Sequence, residues 1–220
     1  MSFGTLYTHD PTPRSTAILA LAKSEGLELE IVFAEKDKHP DGYEKLLKVN
    51  PLGQVPTFVG ADGYVLTECI PITLYIASQS DTSTLLGSTR REYYDILRWM
   101  SFGNGDLLPA IGGCLLPLIG RSQIIRQDSD SSLVALKARL GCLEDHLAER
   151  SFLVGEQLTV ADLMVAAFLA GAFVAWHKVM ESEYAKTSRW FYAVYDTPII
   201  RGVVSQLPKY NLPFPVLKDE

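Results

Sequence analysis

The first eighty residues alternate between short apolar runs and segments whose apolar positions recur at helical spacing. Four short runs predict strands at residues 5–8, 29–33, 57–59 and 64–66. Segments with apolar residues three and four positions apart predict helices at residues 14–22, 43–49 and 68–79. The last two strands flank a glycine-containing turn and therefore form a hairpin. This order predicts an α/β domain with a mixed, four-stranded sheet covered by helices.

After residue 88 the pattern changes to helices alone. Long helical stretches are predicted at residues 90–119, 130–149 and 160–179, with shorter ones at 183–195 and 198–206. The small polar residues before this point end the first pattern. The sequence therefore predicts two domains, residues 1–80 and 88–220, joined by a linker at 81–87. The tail from Leu207 contains three prolines and is expected to be extended.

Composition and charge narrow the class of protein. Of the 220 residues 47% are apolar, and the formal net charge of −6 argues against a nucleic-acid partner. The amino terminus lacks the features of a secretory signal, and no apolar run approaches the roughly 20 residues of a membrane span. The cysteines, Cys69, Cys114 and Cys142, form no CxxC pair, which favours free thiols over disulfides or a zinc site. We expect a cytoplasmic globular protein with no metal and no membrane.

The segment NPLGQVPTF, residues 50–58, carries the first candidate chemistry. Pro56 enters a predicted strand directly after a glycine-containing loop, although proline donates no ladder hydrogen bond. A cis peptide before Pro56 would expose the N–H and C=O of Val55 to an extended peptide ligand. A simple loop with a trans peptide is the alternative.

A second candidate opens the third predicted helix. Glu68 and Cys69 lie at its start, where free N–H groups and the positive end of the helix dipole attract carboxylates. The Glu68 carboxylate could accept from a ligand ammonium while the Cys69 amide donates to the adjacent carboxylate. This pair suits the two charges of an amino-acid head group. Alternatively, Glu68 only complements the helix dipole.

These motifs together resemble the glutathione site of glutathione transferases. The resembling segments are NPLGQVPTF, the strand GYVL and the helix start TECIPITLYIA, with a variant capping box at Thr159 and Asp162 in the second half. Within that superfamily the chain is similar to the transferase-like amino-terminal region of elongation factor 1 gamma. This similarity rests on the segments GTLYT, RWMSFGNGDLL, LLPLIG and RWFYAVYDTPII. The resemblance implies a thioredoxin-like first domain and an all-helical second domain.

The resemblance also implies which residues contact reduced glutathione. They are Arg14, Lys38, His39, Gln54, Val55, Pro56, Glu68 and Cys69. Cys69 departs from the family pattern, which has a serine here, and a thiol donates hydrogen bonds poorly compared with a hydroxyl. The backbone N–H at this position survives the change. For Lys38 and His39, solvated loop charges are the alternative interpretation.

The catalytic task implied by the family is to hold the glutathione sulfur as a thiolate, the nucleophilic form. The candidates for this role are Thr12, Thr8 and Tyr7 at the end of the first strand and the start of the first helix. Thr12 is alternatively the N-cap of that helix, and Tyr7 is alternatively a core residue. No cysteine precedes Cys69, which argues against the family branch that reduces mixed disulfides with its own thiol.

The electrophile is expected to bind between the two domains. Candidate pocket residues at helical spacing are Trp99, Phe102, Asn104 and Leu108, with ordinary core packing as the alternative. Gly103 and Gly105 in the same segment leave room for a close ligand or for a kink.

The resemblance implies an enzyme that conjugates glutathione to small electrophiles in detoxification, or uses it to reduce peroxides. The alternative is a weakly catalytic or non-catalytic interaction module with translation-factor partners. Family members pair through their third and fourth helices, so a homodimer through residues 68–110 is expected.

Overall fold

A mixed four-stranded sheet forms the centre of the first eighty residues in the computed structural model, which describes residues 2–10, 12–80, 83–121 and 128–217. The strands are β1 (Gly4–Thr8), β2 (Leu29–Phe33), β3 (Thr57–Gly60) and β4 (Val65–Thr67). Their spatial order is β2-β1-β3-β4, with β1 and β2 parallel and the other two pairs antiparallel. The predicted mixed sheet is confirmed.

Three helices cover this sheet: α1 (Pro13–Ser24), α2 (Pro40–Val49) and α3 (Cys69–Ala77). Leu6 and Phe58, on the central strands, are fully buried in the same core as Ile18 of α1 and Ile72 of α3. Both α1 and α2 start at a proline, earlier than the apolar spacing predicts, because proline is favoured at the first helical position.

Beyond residue 88, the named elements in the described residues are all helices. The elements are α4 (Arg90–Phe102), a π-helical segment (Gly103–Leu107), α5 (Leu108–Leu118), α6 (Ser129–His146), α7 (Val160–Glu183), α8 (Ala185–Tyr195) and α9 (Pro198–Arg201). Helix α7 is the central helix of this half. By length and composition it could cross a membrane, contrary to the expectation from the sequence, but 78% of its most apolar window is buried inside the protein. Its apolar character is that of a core helix.

The helix predicted at residues 90–119 is interrupted by the π-helical segment. Close packing explains why the first residue of this segment is glycine. A Cβ on Gly103 would lie 2.9 Å from Cδ2 of Phe168 and 3.1 Å from Cγ2 of Val165, both on α7. Gly103 therefore lets this segment approach the central helix. A Cβ on Gly105 would meet nothing within 4 Å, so packing does not require glycine there.

The chain after α9 is extended, as predicted, and pairs with a break in α7. Trp176 has non-helical backbone angles, φ −129° and ψ 33°. The amide of Tyr210 donates to the carbonyl of Val174 at 2.7 Å, and that of Leu212 to the carbonyl of Ala175 at 3.0 Å. The tail thus supplies donors to helix carbonyls beside the break. The last predicted helix, at 198–206, ends earlier, at Arg201.

The predicted capping box at the start of α7 is present. The Asp162 carboxylate, which is fully buried, accepts from the amide and the hydroxyl of Thr159, each at 2.9 Å. It also accepts from the Leu153 amide at 2.8 Å and from Nε1 of Trp190 at 2.9 Å. One carboxylate therefore joins the start of α7 to a preceding loop and to α8.

Candidate functional site

The strand register brings the candidate residues to one end of the sheet. Tyr7 lies opposite Thr57, and Thr57 lies opposite Thr67. The carboxyl ends of β1 and β4 therefore lie beside the amino end of β3. The amide of Ala34, just after β2, donates to the carbonyl of Thr8 at 2.8 Å. Parallel strands end at the same edge, so the segment after β2 joins this group. The loops that carry the predicted glutathione contacts therefore meet at one place.

The loop before β3 has the predicted cis peptide, between Val55 and Pro56. The alternative, a simple trans loop, is wrong. Asn50, only 5% exposed, holds the loop by donating from Nδ2 to the carbonyl of Gln54 at 3.2 Å and to Oγ1 of Thr57 at 3.0 Å. The role of Asn50 was missed in the sequence, although an Asn-Pro pair is a common turn signal. Gln54 itself is exposed and lies beside the site.

Glu68, the residue before α3, has an unusual backbone. Its φ of 70° makes it the one non-glycine residue with a positive φ among those described. Such a conformation costs roughly 1–3 kcal/mol and persists where the surroundings impose it, often at functional sites. The side chain is exposed, makes no capping hydrogen bond, and has no hydrogen bond or ion pair with any described residue. Its carboxylate is therefore available to a ligand ammonium.

Cys69 turns its thiol away from that open surface. The side chain is 1% exposed, and Sγ donates to Oδ1 of Asn104 at 3.6 Å. Burial raises the pKa of the Cys69 thiol to about 11, although the positive charge of Arg14 acts in the opposite direction. The thiol is neutral near pH 7. What Cys69 can offer to a ligand at the start of α3 is its backbone N–H.

Arg14 and Asn104 meet across the two halves of the chain. Nε of Arg14, in the first turn of α1, donates to Oδ1 of Asn104 at 3.0 Å. The same oxygen accepts from Cys69. Arg14, predicted as a glutathione contact, and Asn104, predicted as an electrophile-pocket residue, thus lie side by side next to the start of α3.

The structure separates the three candidates for thiolate activation. Thr8 is 1% exposed, and its hydroxyl donates to the hydroxyl of Ser15 at 2.8 Å. Its role as an activating residue stays a prediction. Tyr7 alternates with the buried residues of β1 and lies on the opposite face of the sheet from Thr8. Thr12 is the N-cap residue of α1, but its side chain makes no capping hydrogen bond. Thr12 and Tyr7 are both half-buried, and both stay candidates.

Lys38 and His39 share one carboxylate in the loop after β2. Nζ of Lys38 lies 3.1 Å from Glu35, and Nε2 of His39 lies 3.6 Å from the same side chain. The hydrogen bond from Lys38 is the main cause of the lowered pKa of Glu35. A shallow groove of about 390 Å³, lined also by Lys45, runs beside them. Both side chains belong to exposed residues, so either remains accessible to an anionic group.

The predicted electrophile pocket is only partly supported. Trp99 is 2% exposed and packs against Phe102 and His146, with ring centroids 5.4 and 4.5 Å apart, which agrees with the alternative of ordinary core packing. Its role as a pocket residue stays a prediction. Phe102 lines a different groove, of about 250 Å³, between the π-helical segment and α6. Asn104 and Leu108 are half-buried, four positions apart, and remain candidates.

Known proteins match both halves of the chain. The family description "Glutathione S-transferase, N-terminal domain" matches residues 2–78, and "Glutathione S-transferase, C-terminal domain" matches residues 109–198. Glutathione S-transferase mdpJ of Emericella nidulans is 46% identical over 219 residues, which cover 100% of this chain and 99% of that protein. The chain belongs to the glutathione S-transferase family. The resemblance found in the sequence is confirmed.

Two further known proteins are similar over most of this chain. Elongation factor 1-gamma of Artemia salina is 32% identical over 209 residues, which cover 94% of this chain and 47% of that protein. Glutathione transferase URE2P6 from Phanerochaete chrysosporium, solved in complex with oxidized glutathione, has a TM-score of 0.79 at 26% identity. That alignment covers 92% of this chain and 94% of the other. The predicted thioredoxin-like and helical architecture is therefore that of the family.

Proposed function

We propose that this chain conjugates reduced glutathione to small electrophiles. The observation that carries the proposal is Glu68: its backbone is held at a positive φ and its carboxylate is left unbonded among the described residues, at a helix start. The cis peptide before Pro56 lies just before β3, the strand that pairs with β4, and β4 leads into Glu68. Family membership and the glutathione transferase names of the relatives agree with this function.

Glutathione would be held at three points along this end of the sheet. The γ-glutamyl ammonium pairs with the Glu68 carboxylate, and the γ-glutamyl carboxylate accepts from the Cys69 amide at the start of α3. The cysteinyl part of glutathione pairs with the backbone of Val55 as an added strand. The glycine carboxylate lies towards Lys38 and His39, with the Gln54 amide beside it. Each ligand charge thus meets a group of opposite sign or a donor.

The thiol of glutathione would lie at the start of α1. The Thr12 hydroxyl can donate to the sulfur, and the positively charged Arg14 follows two residues later in the chain. Both favour the thiolate, which lowers the thiol pKa from the ordinary value of about 8.5. The thiolate then donates its electron pair to an electrophilic carbon, and the leaving group departs with its own pair. Asn104 and Leu108 would border the electrophile.

Calorimetric titration of reduced glutathione near neutral pH tests this binding mode. Glu68→Ala should weaken binding about tenfold or more, because a charge-assisted hydrogen bond is worth about 1.5–3 kcal/mol. Glu149→Ala removes the same charge from an exposed position in the helical half and should bind as the wild type does. Equal affinity in all three proteins would exclude Glu68 from the site.

A second candidate is an interaction module with little catalysis and with translation-factor partners. The inward-facing Cys69 thiol and the similarity to elongation factor 1-gamma favour it. The same titration separates the two functions. No binding at millimolar glutathione would overturn the enzyme and favour the module, whereas binding followed by conjugation of a reactive aryl halide would exclude a purely structural role.

We also propose a homodimer formed through residues 68–110. In support, Tyr94 on α4 is 62% exposed and Tyr93 beside it is 36% exposed, and their ring centroids lie 6.0 Å apart, so the two side chains offer one aromatic surface to a partner. Light scattering coupled to size-exclusion chromatography should give twice the chain mass. Tyr94→Asp should shift the protein towards monomer, and a monomeric wild type would overturn the proposal.

A further inference from the structure

The side-chain oxygen of Asn104 is a meeting point of the two halves of the molecule. Oδ1 accepts from Nε of Arg14 at 3.0 Å and from Sγ of Cys69 at 3.6 Å. Arginine can only donate, and the buried Cys69 thiol is protonated near pH 7, so both partners require an acceptor at this position. The orientation of the Asn104 amide is therefore fixed by its neighbours.

The acceptor for Arg14 carries no charge. Three described arginines, Arg98, Arg139 and Arg201, each bond to an aspartate carboxylate, and two others bond to backbone carbonyls. Arg14 bonds to the neutral side-chain amide of Asn104. A carboxylate would orient the guanidinium but offset its charge, whereas an amide orients it and leaves the positive charge uncompensated.

This charge lies beside the site described above. Arg14 is two residues after Thr12 at the start of α1 and close enough to Cys69 to oppose the effect of burial on its thiol. Glu68 also acts on Cys69, and its negative charge has the opposite effect. Arg14 thus places a positive charge at the point where α1 and α3 start.

We propose that Asn104, from the helical half, is a positioning residue for glutathione activation: it orients the Arg14 guanidinium towards the glutathione sulfur without offsetting its charge. This inference rests on the proposed function and adds a requirement to it. The thiolate is favoured only when the helical half is correctly packed against α1, so thiol activation depends on a residue outside the thioredoxin-like half.

The test is the pKa of the glutathione thiol in the complex, followed by thiolate ultraviolet absorbance as pH is raised. Asn104→Leu removes the acceptor and should raise that pKa by about one unit, since a nearby opposite charge shifts a pKa by about 1–3. Asn104→Asp keeps the acceptor but offsets the charge, so it should also raise the pKa. Asp106→Asn, in the same π-helical segment but paired with Arg139, is the matched control and should leave the pKa unchanged.

A double variant tests whether Asn104 acts through Arg14. Arg14→Leu should raise the thiol pKa at least as much as Asn104→Leu, and the combined variant should raise it no further. Additive shifts, or an unchanged pKa in Asn104→Leu and Asn104→Asp with glutathione still bound, would overturn the inference while leaving the proposed function intact. If Asn104→Leu fails to fold, Asn104→Asp decides alone. Failure of the wild type to bind glutathione would instead overturn the proposed function, and this inference with it.

Discussion

Helices α3 and α7 begin in opposite ways. At the start of α7, Asp162 is buried and its carboxylate accepts four hydrogen bonds from Thr159, Leu153 and Trp190. At the start of α3, Glu68 is exposed, its backbone is strained, and its carboxylate is bonded to no described residue. Both carboxylates lie where a helix dipole favours negative charge. The Asp162 carboxylate stabilises the fold through its hydrogen bonds, whereas the Glu68 carboxylate can bind a ligand.

The largest expected effect is on stability, at the α7 start. Asp162→Ala would leave buried donors without a partner, each costing about 1–3 kcal/mol, so we expect unfolding free energy to fall by about 3–5 kcal/mol. Asp41→Ala, at an exposed acidic residue in the first turn of α2, is the control and should cost about 0.5 kcal/mol. Urea unfolding measures both. Similar losses in the two variants would show that Asp162 acts only through the helix dipole.

The second expected effect is the low reactivity of the buried Cys69 thiol at the start of α3. Burial raises the pKa of Cys69 from 9.0 to about 11, which lowers its thiolate fraction near neutral pH about a hundredfold. Iodoacetamide should therefore label the exposed Cys142 at least a hundredfold faster than Cys69 in the native protein. Mass spectrometry of labelled peptides over time gives both rates. Comparable rates would mean that the Cys69 thiol faces the open surface, as a ligand-binding serine would.

A smaller effect separates strain from charge at Glu68. Glu68→Gly removes the cost of a positive φ, so we expect the protein to become more stable by about 1 kcal/mol while its glutathione affinity falls. Glu68→Ala should lose the same affinity without the gain in stability, because alanine keeps the strain. Thermal unfolding and calorimetry on both variants provide the comparison. A loss of stability in the glycine variant would show that the Glu68 side chain supports the fold.

Local patterns predicted the sheet and the capping box, because each depends on residues close together in the chain, whereas the pattern around Pro56 left cis and trans open and the family resemblance favoured cis. Pro56 follows a glycine loop directly, and Thr159 lies three residues before Asp162. The burial of Thr8 and Trp99 could not be predicted in this way. Sequence spacing shows that a side chain lies on one face of an element, but not what covers that face. Both faces proved to be buried.

The contact of Cys69 with Asn104 was beyond sequence reasoning for a further reason. The two residues are 35 positions apart and belong to different halves of the chain. The replacement of serine by cysteine at position 69 suggested a weaker ligand donor, yet in the structure the thiol is not directed to the ligand surface at all. Only the packing of the π-helical segment against α1 and α3 reveals its partner.

Helix α8 is an intermediate case, with the smallest expected effect. Its first amides, of Lys186 and Thr187, donate to Glu144 of α6 at 3.0 and 2.9 Å, so its cap comes from another helix. Partial burial raises the pKa of Glu144, but the bonds from Thr187 and Lys186 outweigh it, and the folded-state pKa lies below 4.5. A lowered folded-state pKa means that this stabilisation is present above 4.5 and is lost as pH falls through the folded value.

Glu144→Gln should therefore cost about 1 kcal/mol at neutral pH, with the difference from wild type shrinking in acid. Urea unfolding of both proteins across this range measures the difference; a gap that stays constant with pH would mean that the amides of α8 need an acceptor there but not a charge.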